Sequence, residues 1–168
     1  MSRTTDRRIH QQPTNSEPGD PYEPAVIWPA QIHWVAAYHE AGHCVAYWYY
    51  RLPFTRVVIR KDGTGAVLGG PPAASAAAQA ICALAGPAAE ARYTGTALPA
   101  VLRNEYGDRQ RAVAALHRAA AGGLTMAALA DQATDLVAMR WADIEAVAAA
   151  LLAREALSYE EVLIILGK

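Results

Sequence analysis

The residues most able to do chemistry are two histidines and a glutamate in the segment His39-Glu40-Ala41-Gly42-His43, an HExxH spacing. On an α-helix, residues four positions apart lie on one face, one turn from each other. Two imidazoles placed this way can bind one zinc ion at about 2.0–2.1 Å each. Glu40 would lie beside the metal and could accept a proton from a zinc-activated water. The spacing therefore predicts the metal-binding helix of a metalloprotease.

The alternative interpretation is a helix that carries two ordinary histidines and a surface glutamate. The flanking residues 34–38 and 44–50 are apolar on nearly all sides, which predicts that the helix is largely buried. Buried imidazoles and carboxylates need polar partners, and a zinc ion would satisfy all three. Cys44 follows His43 and points about 100° away from this face, so we do not expect it to be a ligand.

The elements that must position these residues are mainly helical. The HExxH helix should run from near Pro29 to Arg51, because proline suits a first helical turn and Pro53 stops the helix. Residues 55–61 are β-branched and read as a strand, and a Gly-rich turn leads to a second strand at residues 66–68.

The rest of the chain is expected to be helical. The predicted helices cover residues 73–93 with a kink or break at Gly86-Pro87, residues 104–121, residues 124–155 with a bend near Trp141, and a short helix through Leu166 that opens with a capping box at residues 158–161. The predicted fold class is mainly α (α+β), with a small β-hairpin or sheet after the HExxH helix. We expect residues 1–25 to be a flexible N-terminal tail and residues 26–168 to be one domain.

Composition narrows the functional classes. The formal net charge is −1 without a basic stripe, so nucleic-acid binding is not indicated. No signal peptide or membrane-spanning run is recognisable. The two cysteines, Cys44 and Cys82, lie in apolar helical stretches and are expected to be buried free thiols, which favours a cytoplasmic setting.

A catalytic zinc ion usually has three protein ligands, and the HExxH segment supplies two. The candidates for the third are Glu90, Glu105, Asp108 and His117. Three of them have an ordinary alternative: Asp108 could be an acid favoured at a helix start, Glu90 an exposed helix residue, and His117 a helix-face histidine.

Five segments in order resemble the FtsH family of ATP-dependent zinc proteases, over residues 34–168. Residues 34–43 resemble the family's A-x-H-E-A-G-H helix, and residues 55–70 its following strand, turn and strand. Residues 81–90 resemble its I-x-x-x-L-G-G-R-A-A-E helix, residues 107–112 its (S/N)-D-L-x-x-A segment, and residues 144–166 its closing L-L-x-x-E-x-L pattern.

The resemblance implies a role for each matched residue. His39 and His43 would be the histidine ligands, Asp108 the third zinc ligand and Glu40 the catalytic base. Glu90 would accept a hydrogen bond from a ligand histidine. A polypeptide substrate would lie extended against an edge strand, for which the candidate residues are Ala66, Val67 and Leu68.

The chain departs from the family pattern at Pro87, where the family has arginine, and at Cys44, where it has a small aliphatic residue. It contains no Walker A motif, so we expect a peptidase domain without the ATPase module. The expected function is a zinc-dependent metalloendopeptidase acting on unfolded or flexible polypeptides. The alternatives are a non-catalytic zinc-binding module that holds a partner or an unfolded segment, and a subunit that depends on a separate AAA ATPase.

Overall fold

The elements that carry the HExxH segment and its surroundings are seen in a computed structural model, which describes residues 29–70, 75–118 and 123–167. The tail predicted for residues 1–25 lies outside these ranges. In chain order the elements are α1 (Pro29–Tyr49), β1 (Arg56–Ile59), β2 (Gly65–Leu68), α2 (Ala76–Thr94), α3 (Leu98–Asn104), α4 (Tyr106–Arg118), α5 (Met126–Met139), α6 (Trp141–Arg154), β3 (Ala156–Ser158) and α7 (Tyr159–Ile165). The prediction of a mainly helical chain with a small sheet is confirmed.

Helices α1 and α2 form the centre of the fold and approach each other closely. Small residues allow this: a Cβ added at Gly42 would lie 2.5 Å from the carbonyl oxygen of Ala85 and 2.7 Å from the Cβ of Ala89. The middle of each helix is buried. The close crossing brings the HExxH residues of α1 against the backbone of α2, which is how the second helix comes to shape the site.

Of the two outcomes predicted at Gly86-Pro87, a kink or a break, the break is wrong, since α2 runs without interruption from Ala76 to Thr94. Pro87 cannot donate a backbone hydrogen bond to the preceding turn. The helix nevertheless persists, because its flanking turns are buried against the core and its start is capped by Ser75, whose side chain accepts from Ala78 N at 3.1 Å.

The sheet has the strand order β2-β1-β3, with both pairings antiparallel. β1 and β2 are the two predicted strands. β3 was not expected: it pairs Ala156–Ser158 with Arg56–Val58, far away in the chain. The central strand β1 buries Val57 and Ile59, while β2 occupies an edge of this sheet. Gly65, Ala66 and Val67 of β2 line a cleft together with residues of the HExxH helix.

Other helix boundaries also differ from the prediction. Helix α3 was missed, and the helix expected at residues 104–121 begins at Tyr106 and is described through Arg118. The stretch expected as one bent helix is two helices, α5 and α6, separated at Arg140. The predicted capping box is confirmed: Ser158 Oγ accepts from Glu161 N at 3.2 Å, and Glu161 Oε2 accepts from Ser158 N at 2.7 Å.

Across the described ranges, none of the helices combines the length and the apolar character that crossing a membrane requires.

Candidate metal centre

Helices α1 and α4 bring three potential metal ligands together. His39 and His43 lie one turn apart on α1, and Asp108 lies in the first turn of α4; all three are buried. His39 Nε2 is 3.1 Å from His43 Nε2 and 3.0 Å from Asp108 Oδ2, and His43 Nε2 is 3.4 Å from Asp108 Oδ2. Two nitrogen atoms and one carboxylate oxygen therefore converge from two helices that are distant in sequence.

These separations suit a tetrahedral metal ion. Zinc bonds of about 2.0–2.1 Å to nitrogen and oxygen place neighbouring tetrahedral ligands about 3.3–3.4 Å apart. The three observed distances, 3.0–3.4 Å, lie within a few tenths of an ångström of that value. Two imidazoles and one carboxylate are also a donor set that zinc accepts at catalytic sites. The donors present thus fit zinc in both type and spacing.

The orientation of each imidazole is fixed from behind by helix α2. His43 Nδ1 donates to the carbonyl oxygen of Cys82 at 2.7 Å, which leaves Nε2 as the ring atom that faces His39 and Asp108. His39 Nδ1 donates to Glu90 Oε2 at 2.9 Å. Such hydrogen bonds hold metal-binding histidines in the required tautomer and orientation. The contact expected between Glu90 and a histidine is present, and its role with a bound metal stays a prediction.

Without a metal, the same groups form a strongly coupled ion pair. Burial alone would lower the pKa of His39, but hydrogen bonds to Asp108 and Glu90 outweigh burial and raise that pKa to about 10. Burial alone would raise the pKa of Asp108, but the attraction of His43 and the hydrogen bond from His39 hold it well below its usual range. The carboxylate also accepts from Arg111 Nη1 at 2.9 Å through Oδ1. A divalent cation could take the place of the proton that His39 and Asp108 share.

Glu40 is buried next to this cluster and has an unused oxygen. Burial raises the pKa of its carboxyl group. Within the described ranges, Glu40 Oε2 and Arg140 Nε are the buried side-chain atoms that lack a hydrogen-bond partner. The other face of the carboxyl packs on Gly65 at the start of β2, where an added Cβ would lie 2.6 Å from Glu40 Cγ and 2.7 Å from Oε1. An unpaired buried carboxylate oxygen needs a partner, such as a water molecule between it and the metal.

A cleft of about 480 Å³ opens onto these residues, and we call it the metal cleft. It is lined by His39, Glu40 and His43 of α1 and by residues 63–67, which lead into and along the edge strand β2. Of the three residues predicted to bind substrate, Ala66 and Val67 line the metal cleft. Leu68 is exposed and is not part of its lining.

The remaining sequence candidates are divided between the cleft and the surface. Glu105 lies at the end of α3, lines the metal cleft, and could form a second group of donors with His39 and Glu90. His117 is exposed in the last turn of α4 and lines neither this cleft nor the cavity beside it. Cys44 is fully buried and is not among the clustered donor groups of the described residues.

Sequence reasoning missed several groups that shape the centre. Arg111 could have been found, because it lies three positions after Asp108 on a predicted helix and so shares its face. The carbonyl of Cys82 carries no side-chain signal. The contacts of Gly65 with Glu40 and of Gly86 with the His43 ring depend on how distant segments pack.

No protein-family model and no curated protein matches the sequence of this chain.

Proposed function

We propose that this chain is a zinc-dependent metalloendopeptidase, similar to the peptidase part of the FtsH family, that hydrolyses peptide bonds in unfolded or flexible polypeptides. The observation that carries the proposal is the arrangement at the floor of the metal cleft. His39, His43 and Asp108 present donor atoms at tetrahedral spacing, and an unpaired carboxylate oxygen of Glu40 lies beside them.

Each group has a distinct part in this reaction. A zinc ion held by His39, His43 and Asp108 would supply Lewis acidity, which activates water and polarises the scissile carbonyl. Glu40 accepts the proton of the attacking water through Oε2 and returns it to the leaving amine. Glu90 and the carbonyl of Cys82 keep the two imidazoles oriented throughout.

The edge strand β2 suits an extended polypeptide. Gly65, Ala66 and Val67 of this strand line the metal cleft, and backbone groups at a sheet edge can pair with a substrate strand. Such pairing requires the substrate to be unfolded or flexible locally. It recognises the backbone, so it gives little selection among side chains.

The position of Glu40 favours this proposal over a non-catalytic zinc module. A structural zinc site usually has four protein ligands and no open position. Here three donors converge, and Glu40, which is not among the clustered donors, lines the same cleft with an unpaired carboxylate oxygen. Burying an unpaired carboxylate is unfavourable, which is difficult to explain unless the group has a chemical role.

Metal analysis and peptidase assays of matched variants test the proposal. Glu40→Gln should retain one zinc per chain and lose peptidase activity, because it removes the base and leaves the ligands. Asp108→Ala should lose zinc, whereas Glu90→Ala should bind zinc more weakly. Near wild-type cleavage by Glu40→Gln would refute the mechanism. Loss of zinc in Glu90→Ala but not in Asp108→Ala would refute the ligand assignment.

A further inference from the structure

A second cavity, of about 440 Å³, adjoins the metal cleft, and we call it the arginine cavity. The two share His43, Tyr47 and Arg111 as a common wall. The Tyr47 ring lies against the backbone of Gly70, where an added Cβ would be 2.8 Å from Cε1. A molecule bound at the metal centre therefore has a neighbouring space available on the far side of Tyr47 and Arg111.

The metal cleft and the arginine cavity lie one after the other along the direction of strand β2. Gly65, Ala66 and Val67 line the metal cleft, and Gly70, two residues after the end of β2, lines the arginine cavity. A peptide paired with the free edge of β2 would run beside the metal centre and then toward the arginine cavity. An extended substrate advances about 3.3 Å per residue. Side chains a few residues beyond the metal centre would therefore reach the arginine cavity.

The two spaces carry opposite charge. Four carboxylate residues line the metal cleft: Glu40, Glu90, Glu105 and Asp108. No aspartate or glutamate in the described part of the chain lines the arginine cavity, whose charged residues are Arg111 and Arg118.

The two arginines differ in how far their charge is neutralised. Arg111 shares its charge with Asp108, at 2.9 Å. Arg118 donates to the neutral amide oxygen of Gln79, and among the described residues no carboxylate pairs with it. The guanidinium of Arg118 is therefore the stronger remaining attraction for an anion.

From this we infer that the arginine cavity is a specificity site, which takes a carboxylate of the substrate on one side of the scissile bond. The carboxylate is an aspartate or glutamate side chain or the C-terminal carboxylate of a peptide. The inference rests on the proposed peptidase function, since it assigns the substrate class of that site. Both arginines are exposed, with 73% of the Arg111 side chain accessible, so solvent screens the attraction. An acidic peptide should be preferred about twofold to fivefold at low salt and less at high salt.

Peptide binding to the Glu40→Gln protein, equilibrated with zinc, tests the inference without depending on cleavage. Fluorescein-labelled peptides with an amidated C-terminus and either Glu or Gln at successive positions are compared by fluorescence anisotropy. A neutral peptide with a free C-terminal carboxylate distinguishes the two sources of the anion. The expected result is tighter binding of the Glu or free-carboxylate peptide, on one side of the scissile bond only.

Substituting Arg118 should remove the preference. In an added Arg118→Gln substitution, the ratio of acidic to neutral affinity should fall to about one. The matched control is Arg109→Gln, an exposed arginine on the same helix that lines neither space, and its ratio should stay as in the parent protein. Equal binding of Glu and Gln peptides, or a preference that survives Arg118→Gln, overturns the inference.

Failure of the proposed function gives a different result. Charge-selective binding with no cleavage of any peptide by the zinc-loaded wild type refutes the peptidase and leaves the carboxylate site. Cleavage without charge preference refutes the carboxylate site alone, and absence of binding to all peptides overturns both.

Discussion

Gly86 in α2 provides a way to disturb the metal centre without removing any ligand. A Cβ built at this position would clash with the His43 ring, most closely with Nε2, and would lie 2.6 Å from both Cδ2 and Cε1. Ordinary contact begins at 3.4 Å, so the ring in Gly86→Ala must retreat by at least about 0.8 Å. It cannot do so freely, because its Nδ1 is held by the Cys82 carbonyl at 2.7 Å.

A displacement of this size is large for a metal ligand. Zinc–ligand distances tolerate deviations of about 0.2 Å, so a shift of about 0.8 Å weakens or breaks the bond to His43. Disturbing the groups that orient a ligand typically lowers affinity about 10- to 100-fold, which corresponds to about 1.4–2.7 kcal/mol. We expect the zinc affinity of Gly86→Ala to fall by at least this range. The change in folding stability should be smaller, because alanine favours the helix by about 0.5–1 kcal/mol and offsets part of the crowding.

Competition for zinc against a chromogenic chelator measures the effect, and urea unfolding of the metal-free proteins separates affinity from folding. Gly107→Ala is the matched control, since an added Cβ there meets nothing within 4 Å and Gly107 also lies in a helix beside a proposed ligand. Wild-type affinity in Gly86→Ala would show that His43 does not bind the metal in this orientation. Equal losses in both variants would show that the steric argument is wrong.

Three further predictions concern the proposed base Glu40, the Cys82 thiol and the dependence of cleavage on ATP. Gly65→Ala should retain zinc affinity and lower kcat about 10- to 100-fold, because the new Cβ displaces the carboxyl of Glu40. A kcat near that of the wild type would contradict this packing. Burial raises the pKa of Cys82 from 9.0 to about 12, so the folded state holds a proton that the unfolded chain releases first. The free energy of unfolding should therefore fall as pH rises from about 9 to about 12. Urea titrations should show a smaller fall in Cys82→Ala, and an equal fall would refute this prediction. If the proposed function holds, the chain should cleave a destabilised variant of a test substrate, spare its stable parent and ignore ATP. This sequence has no Walker A motif, so access should depend on spontaneous opening of the substrate. Gel assays showing equal cleavage, or stimulation by ATP, would contradict this.

The centre of the site was predictable because its signal is local. The helical period alone places His39, Glu40 and His43 around one turn, whatever the rest of the chain does. Asp108 entered as one of four candidates on residue type and was singled out by resemblance. Its convergence with His39 depends on α4 docking against α2, which no local pattern encodes.

The parts of the fold that were missed have weak local signals. Strand β3 has three residues and follows a strongly helical stretch, so only its pairing with β1 defines it as a strand. The residue before it, Glu155, ends α6 with a φ of 61°. Glycine is the usual residue in this left-handed conformation, so a glutamate there does not predict a helix end. Helix α3 begins without a side-chain cap, and the separation of α5 from α6 occurs at Arg140, which is neither glycine nor proline.

The donor atoms lie far apart in the sequence, so metal affinity depends directly on the tertiary structure. A peptide covering α1 alone would contain both histidines but not Asp108, which lies 69 residues beyond His39. Closing a loop of that length in a disordered chain opposes binding by about 4 kcal/mol of conformational entropy, or roughly a thousandfold in affinity. In the folded chain, helix packing has already closed the loop. A substitution that loosens the docking of α4, even one far from the cleft, should therefore be detected first as a lower affinity for the metal ion.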